Sequence, residues 1–183
     1  VERNIADMTQ TIDAAAFQQM VIHAAAAISA QKQHINDLNV FPVPDGDTGT
    51  NMSLTISAAA AELKKKQCAT VGEAAQTAAS ALLRGARGNS GVILSLLFRG
   101  IAKSLKDRET IDGRDLAIAL DFGVAAAYKA VMKPKEGTIL SVIRAMSEAA
   151  TSINKRNVDF QGFLDKVIEA GEEMLKKTKF GET

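Results

Sequence analysis

Asn39-Val40-Phe41-Pro42-Val43-Pro44-Asp45-Gly46-Asp47-Thr48-Gly49-Thr50-Asn51-Met52 is the stretch on which the reading of this chain turns. Pro42 and Pro44 restrict their own φ and push the residues before them toward extended backbone. Asp45 and Asp47 stand two residues apart, and Gly46 between them permits a turn sharp enough for both carboxylates to face one point. Hard cations such as Mg²⁺ take oxygen ligands and commonly bridge carboxylates to substrate phosphates. Gly49 and Asn51 open the helix that follows, whose free N–H groups suit an anion. One reading is therefore a metal–phosphate site. The other is a plain turn, since Asp-Gly and Thr-Gly pairs are common turn formers and Asp is a good N-cap. A calcium loop of the EF-hand kind fails by position. It needs Gly at its sixth place and Glu at its twelfth, which counted from Asp45 are Thr50 and Ile56.

Outward from this loop, nearly every periodic segment reads as helix. Asp13 caps a first helix that carries Phe17, Val21, Ala24, Ile28 and Ile35 close to one face and ends at the Asp-Gly-Asp loop. A second runs from about Thr50 to Lys66, where Ala58 to Ala61 allow close packing. Thr70-Val71-Gly72-Glu73 has the pattern of a capping box and starts a third, to about Leu83. Val92 to Leu105 is apolar on almost every side, which predicts a helix buried in the middle of the fold. Asp112 caps the next, from about Arg114 to Met132, and Thr138 to Asn154 is helical again. Phe160, Phe163, Leu164, Val167, Ile168, Met174 and Leu175 trace the stripe of the last helix. No run of alternating β-branched residues appears. The chain reads as one all-α domain over residues 1–183.

Composition narrows the function classes. Lys and Arg number 22 against 21 Asp and Glu, and a net charge of +1 argues against a nucleic-acid binder. The single Cys68 excludes an internal disulfide and fits a reducing, cytoplasmic setting. Apolar runs such as Val92-Ile93-Leu94 are broken by Ser95 and Arg99, so no integral membrane segment is expected. A start at Val1 and an end at Gly181-Glu182-Thr183 suggest a piece of a longer chain.

Two further breaks carry candidate chemistry. Gly85, Gly88 and Gly91 recur every third residue ahead of the apolar helix. Such spacing lets backbone N–H groups approach a phosphate, Ser90 can donate a hydroxyl hydrogen bond, and Arg84 or Arg87 can neutralise charge. No Gly-Lys-Ser/Thr follows, so this is no Walker A loop. The alternative is a helix–helix turn with Asn89 or Ser90 as N-cap. In Glu136-Gly137-Thr138-Ile139-Leu140, Thr138 serves at least as a cap. Asp121-Phe122-Gly123 imitates a kinase tripeptide, but it lies mid-helix without the other kinase motifs. His23 and His34 lack partners at ligand spacing.

The first stretch as a whole resembles the signature of the nucleotide-binding domain of bacterial fatty acid kinase, which is related to the ATP-binding subunit of dihydroxyacetone kinase. Leu83-Arg84-Gly85-Ala86-Arg87-Gly88-Asn89-Ser90-Gly91-Val92-Ile93-Leu94-Ser95 and Glu136-Gly137-Thr138-Ile139-Leu140 look like its second and third blocks, in the right order. The resemblance implies an antiparallel eight-helix barrel or bundle with ATP at one end. In the dihydroxyacetone kinase subunit three aspartates hold two Mg²⁺ ions that bridge the ATP phosphates, and Asp45 and Asp47 match two of them. Near the third place this sequence has Asn39 and Asp37 at a different spacing, which makes Asn39 the candidate third ligand. Thr48 stands where that enzyme has a histidine. Both departures favour the fatty acid kinase branch.

By the same resemblance the catalytic role falls to Asp45 and Asp47. Nucleotide contacts fall to Thr48, Gly49, Thr50, Asn51, Gly88, Asn89, Ser90, Gly91, Gly137 and Thr138. The implied reaction transfers the γ-phosphoryl group of ATP to the carboxylate of a fatty acid carried by a separate acyl-binding protein. Besides that partner, a possible homodimer through regions outside this sequence is implied. The alternatives are the nucleotide subunit of a dihydroxyacetone-type kinase and a non-catalytic nucleotide-binding module.

Overall fold

A computed structural model describes residues 11–41, 43–153 and 159–179. Pro42, one of the two loop prolines, lies outside them, as do Val1, Asn154 and Gly181-Glu182-Thr183. Seven helices form among the described residues: α1 (Ala14–Asp37), α2 (Thr48–Lys65), α3 (Val71–Gly85), α4 (Gly88–Ser104), α5 (Gly113–Ala130), α6 (Ile139–Ile153) and α7 (Phe160–Lys179). The all-α expectation holds, while the expected eighth helix is not found among these residues. No described helix is long and apolar enough to cross a membrane. Among the described residues the one extended pairing is an isolated antiparallel bridge between Ile12 and Ile111.

Each helix packs on the next in the chain, and α1 on α3 and α2 on α4 add cross-contacts. Short connections between packed helices make neighbours antiparallel, so the helix starts alternate between two ends. At one end begin α1, α3, α5 and α7, and the first three are each capped by their own side chain. Asp13 Oδ1 accepts from Ala16 N at 2.8 Å, and Thr70 Oγ1 accepts from Glu73 N at 3.0 Å. Asp112 Oδ1 accepts from Asp115 N at 3.0 Å, and Asp115 Oδ2 returns to Asp112 N at 3.1 Å, completing a capping box. The box expected at Thr70 is displaced by one residue on its return arm, because Glu73 Oε2 accepts from Ala69 N at 2.8 Å.

The segment 105–112 is laid across this end. Val71 N and Gly72 N donate to Glu109 O and Arg108 O at 3.0 and 2.9 Å. The Ile12–Ile111 bridge closes with bonds of 2.8 and 3.0 Å. Gly72 is needed there because a Cβ would collide with the carbonyl oxygens of Leu105 and Lys106.

The innermost helix is α3, where Ala74, Ala75, Ala78 and Leu82 are each 0% exposed. That corrects the expectation for Val92 to Leu105. In α4, Val92 is 47% exposed, and Ile93, Leu96, Leu97 and Phe98 are only half-buried. Small alanines let α1, α2 and α4 close in on α3, whereas bulky side chains fill space from the periphery. The stripe of α1 also shifts by one residue, with Ala25 buried and Ala24 exposed. A second apolar cluster joins Ala117 of α5, Ala150 and Ile153 of α6, and Phe163 and Val167 of α7. Ile168 and Leu175 lie outside it, exposed. Asp121-Phe122-Gly123 lies inside α5 as a packing notch, since a Cβ on Gly123 would come within 2.7 Å of Leu97 O.

Candidate functional site

The opposite end carries the starts of α2, α4 and α6. Asp47 occupies the N-cap position of α2 with φ −124° and ψ 0°, yet its carboxylate makes no capping hydrogen bond. Asparagines at the end of α1 do that work instead. Asn39 Oδ1 accepts from Asp47 N and Thr48 N, both at 3.2 Å, and from Thr48 Oγ1 at 2.8 Å. Asn39 Nδ2 donates to Val43 O at 3.0 Å, tying down the extended run before the aspartates. Asn36 Oδ1 accepts from Thr50 N at 3.0 Å, and Asn36 Nδ2 donates to Thr50 Oγ1 at 2.9 Å. Gly46 turns the chain at φ +64°, and Asp45 and Asp47 on either side of it are both exposed. Gly49 is buried against α1, where a Cβ would strike Lys32 O.

The second glycine-rich break lies against the first two turns of α2. Gly88 has φ +62°, and a Cβ on it would strike the side-chain amide of Asn51. Arg87 N donates to Thr55 Oγ1 at 3.0 Å, and that hydroxyl donates to Asn51 O at 2.7 Å. A Cβ on Gly91 would strike the same hydroxyl. Asn89 and Ser90 are not the N-cap, as one reading had them. That position belongs to Arg87, which makes no side-chain cap bond, and Gly88-Asn89-Ser90 form the first turn. The Arg87 guanidinium donates to Ala86 O at 3.1 Å.

The third block forms a separate network. Gly137, at φ +75°, donates its N–H to Ser141 Oγ at 2.9 Å, and Ser141 Oγ donates to Glu136 Oε2 at 2.6 Å. Arg144 binds the same carboxylate with both Nη atoms, at 2.8 and 2.7 Å, and lies 5.6 Å over the Tyr128 ring. The Ser141 hydroxyl and then Arg144 hold the Glu136 carboxyl below the usual range, while burial pushes the Tyr128 phenol up. Thr138 Oγ1 donates to Lys135 O at 2.7 Å and accepts from Leu140 N at 3.3 Å. The helix alternation sets this block at the same end as the other two, but its hydrogen bonds stay between α5 and α6.

The geometry thus brings Asn39, Asp47, Thr48, Gly49, Thr50 and Asn51 together at the start of α2, with Gly88 and Gly91 packed against Asn51 and Thr55. Sequence reading missed Asn36, Thr55, Ser141 and Arg144. Their partners lie on other turns or helices, and no spacing in the sequence marks them. Among the described residues no three of His, Cys, Asp and Glu gather as a ligand set. The first loop therefore offers two carboxylates, with other ligands left to water and phosphate, which is how Mg²⁺ is commonly held. Two exposed carboxylates, one of them at an N-cap yet making no capping bond, fit such an ion.

A family model described as the DAK2 domain matches residues 42–181. Protein YloV of Bacillus subtilis (strain 168) is 41% identical over 169 residues, covering 92% of this chain and 31% of that protein. An uncharacterized protein of Staphylococcus saprophyticus is 43% identical over 171 residues, covering 93% of this chain and 31% of its own length. An uncharacterized protein of Staphylococcus aureus (strain USA300) is 42% identical over 171 residues, again covering 93% and 31%. The chain spans 31% of the length of these curated relatives.

Proposed function

The chain belongs to the DAK2 domain family, and from that membership we propose that it is the ATP·Mg²⁺-binding domain of a fatty acid kinase. The observation that carries the nucleotide part is the unequal treatment of helix starts. At one end α1, α3 and α5 are capped by their own Asp13, Thr70 and Asp112. At the other, neither α2 nor α4 has a cap bond from its own N-cap side chain, whereas α6, which starts there too, is capped by Thr138. Helix N-termini carry about half a positive charge and N–H donors suited to phosphate. Asp45 and Asp47 lie beside the start of α2 and hold Mg²⁺, two ions in this reading. Thr48 to Asn51 and Gly88 to Gly91 meet the phosphates, with Gly137 and Thr138 at the margin. The metal would neutralise charge on the transferring group. The chain's own part is to position and surround it, since phosphoryl transfer asks little covalent chemistry of the protein.

The acyl acceptor rests on the likeness of residues 39–52 to the fatty acid kinase signature and on Thr48 in place of a histidine. The reading includes a separate protein that carries the acyl chain and a cytoplasmic setting. Calorimetry of ATP with Mg²⁺ and then with EDTA tests the nucleotide part, and absence of Mg²⁺-dependent binding would overturn it. Transfer assays with an acyl-carrying protein and with dihydroxyacetone test the acceptor. Phosphorylated dihydroxyacetone would replace the fatty acid reading with the other kinase.

A further inference from the structure

Asp13 and Asp112 show what an aspartate at an N-cap ordinarily does in this chain: each spends a carboxylate oxygen on the first turn of its helix. Asp47 stands at the same position and makes no such bond. Its own N–H, the N–H of Thr48 and the Thr48 hydroxyl all converge on Asn39 Oδ1, while Thr50 N goes to Asn36 Oδ1. We infer that Asn39 is a positioning residue and not a cation ligand: it anchors the N–H groups of Asp47 and Thr48, while Asn36 takes the Thr50 N–H that an N-cap aspartate would take, and the Asp47 carboxylate is left for a divalent cation. The inference rests on the metal reading above and departs from the ligand role that resemblance alone gives Asn39.

Three donors already share that one oxygen, and an amide carbonyl has two lone pairs. A cation placed on it would strip contacts from the start of α2. The amide nitrogen, held by Val43 O, fixes which way the oxygen faces. Without Asn39, the N–H groups of Asp47 and Thr48 lose the acceptor that fixes the start of α2, and the Asp47 carboxylate loses its placement.

The two roles separate in the whole chain with three variants, Asn39→Ala, Asn39→Asp and Asn39→Ala/Asp47→Asn, beside Asp47→Asn. Melting in EDTA reads the cap with no metal present. Asn39→Ala lowers the midpoint by about 3 °C or more. Asn39→Asp, which can accept the same three donors, recovers most of the loss. Mn²⁺ titration followed by electron paramagnetic resonance reads the cation. Asn39→Ala weakens it about tenfold, and the double variant is no weaker than Asp47→Asn to within about twofold, since Asn39 acts through Asp47. Unchanged melting of Asn39→Ala in EDTA overturns the inference. So do losses that multiply in the double variant, which would make Asn39 an independent ligand. Wild-type chain that takes up no Mn²⁺ defeats the metal reading itself, an outcome visible before any variant is compared.

Discussion

Four aspartates with one chemistry divide here into two kinds. Asp13 and Asp112 are held by backbone N–H groups, whereas Asp47 at an N-cap makes no such bond and Asp45 is exposed beside it. Asp45→Asn and Asp47→Asn therefore leave stability within about 0.5 kcal/mol, the usual range for exposed sites away from buried partners. Mg²⁺-dependent ATP binding falls at least about tenfold in each, the loss of roughly 1.4 kcal/mol expected for a charge facing a cation. Calorimetry beside thermal melting checks both. Asp112→Ala gives the converse, a loss of about 1 kcal/mol with nucleotide affinity unchanged. Glu136 titrates as a third kind. Its carboxyl is held below the ordinary range by Ser141 and Arg144, so its stabilisation is complete above the unfolded carboxyl pKa and fades as pH falls through the folded one. Because the Glu136 side chain is 41% exposed, solvent screens the pair and the effect stays below about 1 kcal/mol. Glu136→Gln thus costs stability at pH 7 and little at pH 3, measured by denaturant melts. The carboxylate pair was legible in the sequence because it is local. Asn36 and Thr55 were not, since what gives them a role is a partner 14 or 32 residues away.

At the scale of the helix, periodicity placed the described elements to within about two residues except α4, which starts at Gly88 where Val92 was expected, and caps were legible at Asp13, Thr70 and Asp112. Depth of burial was not. An alanine-rich helix looks unremarkable in hydropathy, yet α3 is innermost because its small side chains admit three neighbours. The start of α4 was legible as a glycine break but not as a start without its own cap. Ser90 stands at the third helical position, where a carboxylate interacts favourably with the helix dipole, by about 0.3–1 kcal/mol. Ser90→Asp should thus hold or raise the melting temperature. It also sets a negative charge where phosphate oxygens are proposed, so Mg²⁺-dependent ATP affinity should fall about tenfold or more. Stability rising with affinity unchanged would leave this helix start a structural turn and nothing else.

Taken whole, the described residues bury apolar side chains in two clusters, one around α3 and one among α5, α6 and α7, while Leu38, Val40, Phe41 and Val43 beside the first loop stay exposed. A surface groove between α5 and α6 is lined by Asp121, Glu148, Thr151 and Ser152. In the proposed function a fatty acid offered alone has no carrier to hold its tail beside the nucleotide. Productive transfer needs the acceptor carboxylate in line with the γ-phosphate, a constraint that can be worth several powers of ten in effective concentration. In the proposed function that constraint comes from an acyl-carrying protein, and the relatives' additional length is a second possible source. The expected outcome is that this chain binds ATP with Mg²⁺ and hydrolyses it slowly, yet forms no acyl phosphate from free fatty acid. Hydroxylamine trapping of acyl phosphate measures this directly, first with the chain alone and then with an acyl-loaded carrier added. Substantial product from the chain and free fatty acid alone would mean that side chains assigned to the core open to form a substrate pocket. Product that appears only with the carrier would support transfer between two proteins.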